Sequence, residues 1–183
     1  MILLFESFAV GILSDVGLCR NYGIGFPFSS LVSLPTGFMI LNASGNMICT
    51  GEGVLLFQLL YLAACIDSLT FEIPDWIHLL ILSIGLIQLH LPDSIIGLFL
   101  ISVPFIIFSR LTGDSIGAGD VKLMAACGFV LGPVDICIAV TFGMILASVN
   151  NVPLLLHRNH HRVESAMAPS LAAGCLFSYL LLI

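Results

Sequence analysis

The sequence predicts an all-α polytopic membrane protein, a transmembrane helix bundle of roughly six to eight spans. The first observation is composition. The 183 residues are 59% hydrophobic and 9% charged, against about 45–50% and about 25% in a soluble domain. The second is the recurrence of apolar runs broken by polar, Pro or Gly punctuation along the whole chain. The third is the placement of the five bases, described below. The mean hydropathy of +1.16 means that most apolar side chains must face lipid or other lipid-embedded helices, because one core of this size needs far fewer.

In order, the candidate spans cover residues 2–18, 24–41, 53–67, 76–91, 94–108, 121–132, 136–156 and 168–183. Most fall short of the ~20 residues of a straight span, so several helices should extend into the loops, and 121–132 is expected to penetrate only partway. The first run lacks a preceding Lys or Arg and is interrupted by Glu6 and Asp15, which makes it a membrane segment rather than a cleavable signal peptide. Threading eight spans brings 19–23, 68–75, 109–120 and 157–167 to one face. Arg20, Arg110, Arg158 and Arg162 lie in these segments and Lys122 beside one of them. The positive-inside rule makes that face cytoplasmic and turns both termini outward. Losing one early span would reverse only Arg20. The expected division is an N-terminal part, 1–52, with membrane segments and the outer loop Asn42–Asn46, and a catalytic membrane part, 53–183.

Composition also excludes partners and frameworks. Eleven acids outweigh five bases, too few cations to track nucleic acid. The six cysteines form no CxxC pair, which argues against a zinc ribbon or disulfide framework. There is no internal repeat or soluble domain. The Asn42-Ala43-Ser44 triplet has no functional weight on its own.

Acids at the ends of lipid-embedded helices are costly without a wet cavity or partners, so each is a functional-site candidate. Asp67 ends the apolar run that begins at Leu55. Asp120 lies in Gly117-Ala118-Gly119-Asp120-Val121-Lys122, where the next span leaves the same face. The two carboxylates should therefore share a depth. Gly117 and Gly119 allow unusual dihedrals and close approach of Asp120 to another helix, and a helix N-terminus there favours negative charge. Two carboxylates meeting in a partly dry site share one proton. That is the acid/base pair of aspartyl proteolysis, and spacing leaves open which aspartate is base. A lone Gly-x-Gly-Asp is more often a turn; the second acid, the nearby Lys122 and the uncharged membrane body favour the catalytic reading.

Asp67-Ser68-Leu69-Thr70-Phe71-Glu72-Ile73-Pro74-Asp75, followed after an apolar span by Gly117-Ala118-Gly119-Asp120-Val121-Lys122-Leu123, resembles the type IV prepilin peptidase family. Met167-Ala168-Pro169-Ser170-Leu171-Ala172-Ala173-Gly174 looks like a degenerate form of that family's Pro-Phe-Leu-Ala-x-Gly segment. The resemblance covers about residues 53–183 and implies a Gly-x-Gly-Asp intramembrane aspartyl endopeptidase with Asp67 and Asp120 as the catalytic pair. It implies prepilin-like or preflagellin-like membrane substrates, cut at the cytoplasmic face of the inner membrane with water and no cofactor. Larger members carry a cytoplasmic insert with paired CxxC motifs and methylate the new N-terminus. This chain has neither the pairs nor room for the insert between 19 and 53, so N-methylation is not expected.

Other residues have plainer readings. Lys122 either holds substrate or biases Asp120, or is a topogenic base. Pro74 breaks the chain before Asp75, which begins the next helix. Glu72 and Asp114 read as loop acids, with Glu72 also a candidate for the cleft entrance. His157, His160 and His161 have helical spacing without a companion acid or Cys, and no metal is expected. Asn150 and Asn151 end a span. Trp76 anchors an interface, and Gly85, Gly97, Gly128, Gly132 and Gly143 read as close-packing sites. Two rivals remain: a small transporter with paired intramembrane acids, which needs them near the midplane, and a silent pilus-assembly scaffold. Presenilin-like and signal-peptide peptidases share the tetrad, but the Asp…Ile-Pro-Asp element favours the prepilin side.

Overall fold

The structure is a computed structural model that describes residues 35–40, 42, 47–112, 117–156 and 166–182. The described residues form helices and turns without a strand. After a short helical segment at 35–40 come α1 (Met47–Thr70), α2 (Asp75–Ile84), α3 (Leu91–Thr112), α4 (Ala118–Leu131), α5 (Pro133–Leu156) and α6 (Ala168–Leu182). The protein is an all-α membrane helix bundle. Among the described residues, three stretches are long and apolar enough to cross a bilayer: Ile48–Thr70, Leu91–Thr112 and Pro133–Asn150. The run at 2–18, most of 24–41, Arg20, Asp114, Arg158, Arg162 and the three histidines at 157–161 lie outside the described residues.

The helices start and stop for local reasons. Phe71 takes a left-handed conformation, φ 54°, and its N–H donates to the Asp67 carbonyl at 2.9 Å, which closes the last turn of α1. Pro74 then sits in extended conformation at the N-cap of α2, φ −62° and ψ 138°, and its carbonyl accepts from Ile77 N–H at 3.1 Å. Because proline needs no donor partner, this is an economical helix start. α2 ends at Ile84 rather than 91. Its C-cap is Gly85, and residues 85–88 form a turn that brings Gln88 to Cys49 on α1, 3.3 Å from Nε2 to Sγ. Gly132 at φ 83° makes the turn between α4 and Pro133 of α5.

α4 is the buried centre. Val121, Leu123, Met124, Ala126 and Cys127 are all covered, mainly by α3 on one side and α2 on another. Beyond its first turn, which carries Asp120 and Lys122, the helix is apolar on every face. α3 forms the outer wall and exposes Ile95, Phe99, Ile106 and Ile107, the surface expected to meet lipid tails. Its Pro104 is accommodated within the helix, as proline often is in membrane helices.

Where helices meet, side chains are absent rather than interlocked. A Cβ on Gly97 of α3 would run into the Gly128 carbonyl of α4, and one on Gly128 into the Gly97 carbonyl. A Cβ on Gly174 of α6 would strike the Ala139 carbonyl of α5. These small-residue crossings bring backbones close enough for dispersion to hold the bundle in a solvent that supplies no hydrophobic drive. α6 runs antiparallel to α1: Ala168 lies beside Asp67, and at the other end Tyr179 Oη donates to the Cys49 carbonyl at 2.6 Å, its ring edge-on to Phe57.

Gly97→Ala or Gly128→Ala should therefore force α3 and α4 apart and destabilise the bundle by about 1–3 kcal/mol. A lower thermal midpoint in detergent for both variants, with Gly119→Ala close to the parent, is the expected result.

Candidate active site

The same fold brings the last turn of α1 and the first turn of α4 to one end of the bundle. A cleft of about 310 Å³ opens there, and its lining includes Asp67, Glu72, Asp75, Gly117, Asp120 and Lys122. Of the residues singled out from sequence, Asp67, Asp120, Gly117, Gly119 and Lys122 all line this space, and Pro74 starts the helix beside it.

The two aspartates occupy unequal surroundings. Asp67 is buried, 5% exposed, and its Oδ2 accepts the Ala168 N–H at 3.0 Å. Ala168 is the first residue of α6, so that N–H has no partner within its own helix; the carboxylate and the helix end satisfy each other. Asp120 lies in the first turn of α4, outside the three stretches long enough to span. Its Oδ1 is buried and finds no donor among the described residues. Burial, and then the nearby Asp67 charge, push Asp120 up to about 6.

The glycines act differently from the expectation of unusual dihedrals. Gly117 is in ordinary extended backbone, φ −61° and ψ 134°, which any residue adopts. What it supplies is room: a Cβ there would stand 3.2 Å from Asp120 Oδ2. A Cβ on Gly119 would meet Ile73 at 3.6 Å, ordinary contact.

Lys122 does not reach Asp120. Its Nζ donates to Asp75 Oδ1 at 2.7 Å, and this hydrogen bond, with the charge behind it, holds the exposed Asp75 carboxyl below the usual range. Asp75 is the first residue of α2. Sequence reasoning overlooked two neighbours. His78, one turn after Asp75, is buried with Nε2 3.2 Å from the Gly119 carbonyl. The Ala168 amide also escaped it, since a backbone donor leaves no trace in residue identity; the Ala168-Pro169 step was the available signal.

With this geometry in view, comparison with known proteins is informative. A model of the type IV leader peptidase family matches residues 54–152, more than half of the chain. The protein belongs to that family. The matched stretch holds both aspartates, the glycines and Lys122. A prepilin leader peptidase/N-methyltransferase of Bacillus subtilis (strain 168) is 32% identical over 75 residues, 40% of this chain and 30% of that relative. The likeness thus spans under a third of the relative's length. No solved structure matches the chain.

Two outcomes follow from this geometry. Gly117→Ala should cut turnover about three- to tenfold by pressing on the Asp120 carboxylate, whereas Gly119→Ala should stay near the parent. In the folded chain Asp120 keeps its proton up to about 6, while its ordinary value is 3.8. The fold therefore loses stability as pH rises across that window, and the loss is complete above it. Asp120→Asn should stabilise the fold at pH 7.5 by about 1–3 kcal/mol, read as a higher thermal midpoint, and the gain should shrink as pH falls toward 4.

Proposed function

We propose that this protein is an intramembrane aspartyl endopeptidase that removes the leader of type IV prepilin-like or preflagellin-like substrates at the cytoplasmic face of the inner membrane, without N-methylating the product. The observation that carries this reading is the presence of Asp67 and Asp120, from separate helices, in one cleft at one end of the bundle. Family membership supports the peptidase, and the inequality of the two carboxylates supports an acid/base division.

Asp67, with the Ala168 amide on one oxygen, is the charged member. It takes a proton from a water placed between the pair as the water oxygen attacks the scissile carbonyl. Asp120 is the protonated member and gives its proton to the carbonyl oxygen as that oxygen gains charge. Collapse of the tetrahedral intermediate breaks the C–N bond as Asp67 passes its proton to the leaving amine, and one hydroxyl of the intermediate returns a proton to Asp120 as the C=O bond of the acid product re-forms. A substrate helix in the cleft displaces further water and favours the protonated form of Asp120 more strongly. No step requires a metal or organic cofactor.

Orientation follows from the bases. Among the described residues, Arg110 closes α3 and Lys122 sits by the cleft, so both lie at the aspartate end, which supports a cytoplasmic cleft. Acids at one end rather than at mid-depth support hydrolysis over transport, since a transport site communicates with both faces. A silent scaffold would keep its role without either carboxylate.

The test is cleavage of a co-expressed prepilin carrying its leader by the intact chain, Asp67→Ala and Asp120→Ala, each at matched membrane abundance. Both variants should lose at least about 1,000-fold in rate. Processing that persists in either removes that aspartate from the mechanism.

A further inference from the structure

We propose that His78 is a positioning residue: together with Asp75 it clamps the first turn of α4 on both sides of Asp120 and so aims that carboxylate at Asp67. The inference rests on the reading of Asp67 and Asp120 as the working pair.

Asp120 has little to hold it by its own side chain. Its Oδ1 has no donor among the described residues, and Gly117 sets no side chain against its Oδ2. Its direction must come from the backbone that carries it. That backbone is held from α2 once directly and once through a side chain. The residue before Asp120 offers its carbonyl to His78 Nε2 at 3.2 Å, and Lys122, two residues after it, is tied to Asp75 at 2.7 Å. Asp75 and His78 are three residues apart and share one face of α2. One turn of one helix thus holds the residues flanking Asp120.

The chemistry of the ring fixes its role. A carbonyl only accepts, so Nε2 carries the hydrogen and Nδ1 bears the lone pair. Nδ1 is buried without a hydrogen-bond partner among the described residues; the Asp75 carboxylate is 3.8 Å away, beyond bonding range. An imidazole 6% exposed and half-satisfied is a costly way to fill apolar space, where leucine would serve better. The bond to Gly119 is what the histidine supplies and leucine cannot. Pro74 and the left-handed Phe71 set where α2 begins, so the clamp is referenced to α1, which carries Asp67.

The experiment compares His78→Leu, His78→Gln and His78→Asn in the full chain, alongside Asp67→Ala and Asp120→Ala, using the same prepilin and reading kcat and KM separately. Glutamine can still donate an N–H to the Gly119 carbonyl; asparagine is too short and leucine has no donor. His78→Leu and His78→Asn should lose about tenfold or more in kcat with KM within about twofold, and His78→Gln should recover to within about threefold of the parent. Full kcat in His78→Leu, or equal losses in Gln and Asn, overturns the clamp while leaving the aspartate pair intact. If His78→Leu does not accumulate, the Gln and Asn pair decides the matter alone. Cleavage surviving Asp67→Ala or Asp120→Ala overturns the pair, and this inference with it.

Discussion

A carboxylate withdrawn from water must find donors, and in this bundle Asp67 finds one at the N-terminus of another helix. The bond from Ala168 N–H to Asp67 Oδ2 ties the start of α6 to the end of α1, one of the two points that set their antiparallel run. Pro169, next in line, has no N–H, so the start of α6 carries one fewer unsatisfied donor for the site to accommodate. The far end is tied by Tyr179 to the Cys49 carbonyl. With α1 and α6 locked at both ends, the remaining helices can bring α4 and its aspartate to the same depth.

Within that frame, glycine does most of the packing. The crossing of α3 with α4 at Gly97 and Gly128, and of α5 with α6 at Gly174, brings backbone onto backbone. Such contacts define a single register, because a slip of one residue would place a side chain where none fits. The contacts from α2 to Gly119 and Lys122 fall on a helix that also packs against α3 and α5.

Much of this was legible in the sequence, for physical reasons. Apolar runs must become helices in lipid, so the elements from residue 47 onward were foreseen, as was the proximity of the two acids through shared depth. The boundaries moved at two glycines, one taken as the edge of a span and the other as a packing site inside one. Gly53 lies inside α1 because Tyr179 of α6 needs the space of its missing side chain. The apolar run after Ile84 leaves the helix because Gly85 begins a turn. Long-range partners were not legible. Nothing in spacing pairs Lys122 with Asp75, or His78 with the Gly119 carbonyl, across more than forty residues. Gly117 was singled out for its dihedrals, whereas its contribution is space for Asp120 Oδ2.

The central claim is that the carboxylates of Asp67 and Asp120 face each other across one small cleft in the membrane-embedded protein. Its most direct measurement is proximity in native membranes: Asp67→Cys with Asp120→Cys, in a background with the native cysteines replaced by alanine, treated with a short thiol-to-thiol cross-linker and compared with Asp67→Cys paired with Asp135→Cys at the opposite end of the bundle. Rapid cross-linking of the first pair and none of the second is the predicted result. A first pair that remains uncross-linked while each single cysteine is still labelled by a small thiol reagent would contradict the account.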